Sequence, residues 1–442
     1  MISRSVTETK NKRDLDGEIV YKDGRTEKIA YGITEIAEKA YAGKRDIVSV
    51  ILPNSVTAIG DEAFWHCSNL ESIEFPPSLS SIGKGAFDGC NKLDNVKIPG
   101  GVTEIGASSF IGCERLKSIE IPHSVTSLGS SAFSRCTNLT SVKLSDNIET
   151  LNGFTFQSCT KLADVVLPSN LTNIKMHVFC NCKSLKSIKI PSGVKEIGYS
   201  AFVGCESLAD IELPESLTKM GFDVFSGCRS LKTIEIPKNV CEIEGNIFKS
   251  CDIQINVSPE NKYLKVINNN LYSADGKTLI SYIPKKGETH FAIPNGVTKI
   301  GASVFSACTS LTSIEIPYGV TEIGGSAFHS CTNLKSIKIP DSVTKMGDNV
   351  FQSSRVTNIE LSNGLKTIGS FSFSYCANLK SVKIPRSITE IQGYVFDKCT
   401  GLDDIYYGGS IFDWKKINIT KNGNEKLCGT VFERAKIHYN SK

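Results

Sequence analysis

No stretch of this 442-residue chain approaches the 18 consecutive apolar residues of a membrane helix, so helical membrane insertion is not expected. Neither sign of charge dominates. Fifty basic residues against 46 acidic ones leave a net +4, and so balanced a surface gives no reason to expect nucleic acid or an anionic membrane as a partner. Met1 to Asp14 is polar and lacks the apolar centre of a secretory signal. Cytosolic residence, a signal missing from this stretch and export by another route all stay open. There is no phosphate-loop signature with its Lys-Ser/Thr ending. The six histidines, His66, His123, His177, His290, His329 and His438, stand at unrelated places and never recur with an acid and a nucleophile. No catalytic residue, cofactor or metal site is therefore expected.

What the chain does contain is a period. Phenylalanine recurs every 23 residues from Phe64 through Phe87, Phe110, Phe133, Phe156, Phe179, Phe202 and Phe225 to Phe248. It resumes at Phe305, Phe328 and Phe351 and, after one deletion, at Phe373 and Phe396. A length of 442 residues would ordinarily suggest several globular domains, but a repeat array escapes that rule, because each unit closes its core only against its neighbours. In one unit, Leu116-x-x-Ile119-x-Ile121 alternates as a short strand should, with Ser118 and Glu120 facing out, and Pro122 ends it. Gly106 suits a corner, and the stretch around Phe133 or Phe202 is a helical or turn-like return. The expected fold is a solenoid whose strands stack in parallel into one long sheet.

The register reaches further than the obvious units. Tyr41 lies 23 residues before Phe64, and Tyr282 lies 23 before Phe305, with Phe291, Ile293 and Pro294 completing its coil. Between them the array is interrupted around Ala274-Asp275-Gly276-Lys277, where Asp-Gly between apolar pairs signals a hairpin. The organisation expected is a flexible tail over 1–14, a hairpin cap over 15–31 and repeats over 32–256. An inserted hairpin over 257–281, further repeats over 282–402 and a C-terminal cap over 403–442 follow.

Thirteen of the 16 cysteines stand three residues after the periodic phenylalanine; Ser354 replaces one, and Cys180, Cys241 and Cys428 are off register. Rungs about 4.8 Å apart are near enough for disulfides. Stacked side chains point in parallel, however, whereas a bridge needs converging Cβ atoms about 3.8 Å apart. A ladder of buried, reduced thiols is the expectation. His177, Cys180 and Cys182 form a metal-like trio on paper, but Cys182 belongs to the ladder and points inward.

On the outward face of the strands stand Glu74, Lys97, Glu120, Lys143, Val166, Lys189, Glu212 and Glu235, then Glu315, Lys338, Glu360 and Lys383. The signs mostly alternate, so the face neutralises itself through cross-strand pairs and carries few of the aromatics that binding hot spots favour.

The unit Cys-x-x-Leu-x-x-Ile-x-Ile-Pro-x-x-Val-x-x-Ile-Gly-x-x-x-Phe-x-x-Cys closely resembles that of the BspA-like leucine-rich repeat family, over residues 32 to 440. The interrupting hairpin and the Tyr406-Tyr407-Gly408-Gly409 and Trp414 ending resemble family features too. The resemblance implies a right-handed leucine-rich-repeat solenoid, a cell-surface or secreted location and an adhesin-like role in binding host or partner proteins. The repeat motif carries no ligand residues, so none are transferred.

A protein ligand, no nucleic acid, no membrane insertion and a monomeric state are expected. The alternatives are a structural spacer in a larger assembly and an enzyme with an unrecognised site. Loops that break a repeat often carry function. The segment from Val257 to Phe291 concentrates Tyr263, Tyr272, Tyr282, His290 and Phe291 with Lys285 and Lys286. Tyr282 and Phe291 lie in core register, which leaves Tyr263, Tyr272, Lys285 and Lys286 as candidate protein-binding residues.

Overall fold

The computed structural model describes residues 16–428 and 435–441; the tail expected over 1–14 lies outside them. Each coil is a solenoid turn, but it contributes two short strands where one was expected. The first is the Leu-x-x-Ile-x-Ile segment. Ser118–Glu120 pairs in parallel with Ser141–Lys143, placing Ile119 opposite Val142 in the core and Glu120 opposite Lys143 outside. The second comes from the Val-x-x-Ile-Gly corner, where Glu104–Ile105 pairs in parallel with both Ser81–Ile82 and Ser127–Leu128.

The parallel solenoid expected is what the chain forms, and beside the strand ladder a second parallel ladder runs along the corners. Two-residue strands are too short to show as an alternating pattern in sequence; stacking alone reveals them. The corner glycine permits the second ladder. Gly106 donates its N–H to the Ile82 carbonyl at 2.8 Å, and a Cβ there would lie 2.6 Å from the Gly83 carbonyl carbon.

The return is a chain of turns, not a helix. Residues two before and two after every periodic phenylalanine but Phe248 adopt positive φ, as at Ser108 (57°) and Gly112 (72°), or Ser131 (61°) and Arg135 (60°). A left-handed non-glycine residue costs roughly 1–2 kcal/mol. The alternation turns every second N–H towards the next coil, so that Ser108, Phe110 and Gly112 each donate to it at 2.8 Å. Three bonds per coil offset the strain.

Inside, the phenylalanines stack face to face. Phe110 and Phe133 lie 5.4 Å apart and Phe328 and Phe351 5.1 Å apart, nearly parallel in both cases. The ladder cysteines are buried. Most of these thiols donate to a phenylalanine carbonyl of the preceding coil, Cys136 to Phe110 at 3.2 Å and Cys159 to Phe133 at 3.1 Å, and Cys67 donates to the Tyr41 carbonyl in the same way. Cysteine fits because the site wants a small apolar filler with one weak donor. Ser354, which stands in the cysteine place of one coil, lies 3.5 Å from Cys376 Sγ, where either group can donate.

The described chain divides into two compact units, one of residues up to 219 with 227–231, the other of 220–226 with 232 onwards. In the first, Gly17–Tyr21 and Thr26–Ile29 form the expected hairpin, and Gly17–Tyr21 pairs antiparallel with Ile47–Ile51, closing the edge of the first coil. The strand ladder is parted in the coil of Phe87, where a single bridge joins Ser72 to Asn95.

In the second unit the insertion is a three-stranded antiparallel meander of Leu264–Ile267, Asn270–Ser273 and Thr278–Ser281. Its last strand, which ends at Ser281, also pairs in parallel with Lys299–Ile300 of the array. At the far end Asp404–Tyr407 and Lys436–His438 extend the strand ladder, and Trp414 packs edge-on against Tyr407.

Replacing Phe133 by alanine removes a fully buried ring held between two others. The expected loss is about 3–5 kcal/mol, read by reversible denaturant unfolding; a loss below about 1 kcal/mol refutes the packing. A second expectation concerns alkali. Desolvation by burial pushes the Cys67 and Cys159 thiols from 9.0 up to about 12. Stability is therefore full below pH 9 and falls as pH rises towards 12, because only the unfolded chain ionises there. Stability measured across that window falls less steeply for Cys159→Ala; identical slopes contradict the assignment.

Candidate functional site

The interruption is built by asparagines. Asn268 (φ 50°) and Asn269 (φ 65°) make the two-residue turn between the first two strands of the meander. Asn269 also accepts the Ile255 N–H at 2.9 Å and donates to the Ile253 carbonyl at 2.7 Å, tying the turn to the array. Asn261 accepts from the N–H groups of Tyr263 and Leu264 and donates to the Pro237 and Val240 carbonyls. Asn270 accepts the Ile283 N–H at 2.8 Å.

Asn246 lies deepest, at 1 % exposure. Its amide donates to the Tyr282 and Val304 carbonyls at 3.1 and 2.9 Å, and its oxygen accepts the Phe248 N–H at 3.0 Å. Sequence reasoning missed these side chains. The Asn268-Asn269-Asn270 run was a usable turn signal, whereas Asn246 stands at an ordinary repeat position and gave none.

Of the four candidates, Tyr263 is 53 % exposed, on a backbone fixed by Asn261. Lys285 and Lys286 are exposed, next to each other, on the loop after Pro284. Tyr272 is a correction. It is 1 % exposed, because its strand is covered on both edges by Lys265 and Leu279 and its ring joins the core of the second unit, where desolvation pushes the phenol up to about 12. Tyr282 is buried in the core as its register requires, and its hydroxyl donates to Glu288 at 2.5 Å. Phe291 packs beside it, with ring centroids 4.7 Å apart. Lys285 and Lys286 border a cleft that Tyr263 and Tyr272 do not line.

The strand face neutralises itself as its alternation suggests. Lys143 meets Glu120 at 2.6 Å, Lys189 meets Glu212 at 3.5 Å and Lys383 meets Glu360 at 2.6 Å. Lys143 holds the Glu120 carboxyl below its ordinary range. The exception on this side is Tyr318, 83 % exposed, directly after Pro317 and beside Lys338, Asp341 and Asn363. The residue after the strand proline is Asn54, Ser192, Glu215 or Asp341 in other coils, so an aromatic there was legible from the repeat alignment. The trio His177, Cys180 and Cys182 goes to separate tasks. His177 stacks on Phe154 with ring centroids 4.8 Å apart, Cys182 donates to the Phe156 carbonyl, and Cys180 is buried.

Stacked parallel strands, a turn-built return and interior phenylalanine and cysteine ladders define a leucine-rich-repeat solenoid. The chain belongs to the BspA type leucine rich repeat family, whose model matches residues 34–163, 149–277 and 285–403. Among solved structures it is similar to a leucine rich cell surface protein from Faecalibacterium prausnitzii, at 27 % identity over 94 % of this chain and 99 % of that one, with a TM-score of 0.55. A leucine-rich repeat protein from Eubacterium ventriosum is 26 % identical over 66 % of this chain and 73 % of its own, with a TM-score of 0.51. The pneumococcal vaccine antigen PcpA, at 17 % identity, covers 96 % and 99 % with a TM-score of 0.52 and shares the fold. No curated protein matches the chain.

Asn246→Ala leaves one N–H and two carbonyls without their partner in the core. The expected destabilisation is roughly 2–4 kcal/mol, seen as a lower denaturation midpoint; a midpoint shift within experimental scatter contradicts the bridging role.

Proposed function

We propose that the chain is a non-catalytic interaction scaffold, displayed on a cell surface or secreted, that binds a protein partner in the manner of an adhesin. The contact is placed at the interruption, through Tyr263, Lys285 and Lys286. The observation that carries this reading is a hydrogen-bonded insertion presenting a half-exposed tyrosine. Asn261, Asn269 and Asn270 pin its backbone, and Leu264, Leu271 and Tyr272 anchor it in the core. An aromatic side chain on an already ordered backbone loses little entropy on binding and can serve as a hot spot. Membership of the family, together with likeness to a protein described as a cell surface protein, supports the location. The strand face, with its charges paired internally, is the poorer candidate.

An unbiased screen of the protein against extracellular host and bacterial proteins identifies the partner, and variants then locate the contact. Tyr263→Ala is expected to weaken binding by about tenfold or more, as is Lys285→Ala with Lys286→Ala. Lys143→Ala on the strand face should leave affinity within about twofold. Unchanged affinity in the insertion variants places the contact elsewhere, and a screen without any protein partner overturns the scaffold reading.

A further inference from the structure

The second unit holds a cleft where the regular return is cut short. In an ordinary coil the inward residue of the corner strand and that of the next main strand are 14 apart, as Ile105 and Ile119 are. In the coil of Tyr282 they are Leu279 and Phe291, only 12 apart. The shortened return leaves a cleft of about 450 Å³, bordered by Asn246, Lys249, Ser250, Ser306, Lys285 and Lys286.

Its polar lining is rich in donors. The ammonium of Lys249, itself partly buried, donates to the Ser306 hydroxyl at 3.2 Å, and Lys285 and Lys286 flank it from the loop. In regular coils the N–H two residues after the phenylalanine donates to the next coil, as His66 does to Asp88 at 2.6 Å and Ser158 to Cys180 at 2.7 Å. Ser250 holds that place with the same left-handed backbone (φ 61°), yet among the described residues no carbonyl stands opposite its N–H.

Two carboxylates near these lysines, Asp252 on the cleft itself and Glu288, have other partners. Asp252 pairs with Lys232 at 3.2 Å, and Glu288 accepts from the Tyr282 hydroxyl and the Lys285 N–H. Asp223 is half-buried; desolvation raises its carboxyl above the ordinary range, and the charge of Lys249 acts in the opposite direction.

We propose that this cleft binds a tetrahedral oxyanion, phosphate or sulfate, either free or borne on a molecule of about monosaccharide size. Three ammonium groups, a hydroxyl and an unpaired backbone N–H around one space suit an anion with several acceptor oxygens. The cations are all lysine. Lysine ammonium groups bind phosphate as point charges with several rotatable donors. The volume lies within the range of small-molecule sites. The inference stands without the protein-binding reading, since it asks only for a small ligand.

Calorimetric titration of the full chain with inorganic phosphate, inorganic sulfate, a monosaccharide phosphate and a monosaccharide sulfate tests it, with chloride at equal ionic strength as the control. At least one of the four is expected to bind saturably at one site. Tighter binding of the sugar esters identifies a ring-borne anion, and equal binding a free one. Lys249→Gln is expected to weaken that binding about tenfold. Lys285→Gln with Lys286→Gln, on an exposed loop where folding is not at stake, should weaken it severalfold. Binding no stronger than that of chloride, or binding unchanged in the double variant, overturns the proposal.

Discussion

The structure depends on the hydrogen bonds that each coil makes to the next. A coil of 23 residues cannot bury its own apolar side or satisfy its own backbone, and the return shows how completely it relies on a neighbour. The Phe110 carbonyl accepts the Cys113 N–H at 3.2 Å from its own coil and the Cys136 thiol at 3.2 Å from the following one. The Phe110 N–H meanwhile donates to Ala132. The alternating left-handed residues, the stacked rings and the corner glycines all bring these partners into line. Each is locally unfavourable or neutral and becomes favourable only when the next coil is in place.

A lattice of this kind is exposed wherever it stops. Its N–H groups point forward along the array, so a coil with no regular successor needs another acceptor. The same solution appears twice. Asn246 supplies its side-chain oxygen to the Phe248 N–H ahead of the insertion, and Asn424 supplies its own to the Phe396 N–H at the C-terminal cap, at 3.0 and 3.3 Å. Both asparagines also donate to two carbonyls, which leaves no buried amide group idle. The other end of the ladder is closed by an antiparallel hairpin, since a strand edge can be covered by strand pairing and a turn-built return cannot.

The interruption follows from the same constraint. Where a return is shortened, forward-pointing donors such as the Ser250 N–H lose their acceptors, and a polar cleft opens beside a continuous core. Leu264 and Leu271 of the insertion are buried and Tyr272 joins the core of the second unit, and this separates side chains that composition alone had grouped together. Tyr263 is presented, while Tyr272 is consumed by packing.

Periodicity alone determined the coil length, the interior places of the phenylalanines and cysteines, the outward charge alternation, both caps and the site of the interruption. Stacking copies a side chain's direction from rung to rung, so a repeated residue has a repeated environment. The environment of side chains that do not repeat was decided by tertiary structure. The two-residue corner strands have no pattern long enough to read, and the burial of Tyr272 depends on which strands flank it. The roles of Asn246 and Lys249 depend on which coil lies across the gap, and the chain reaches that coil only 57 residues after Phe248, at Phe305. Local sequence specifies a coil because its neighbours are near-copies; at the break the neighbour is different, and only the folded chain shows what stands opposite.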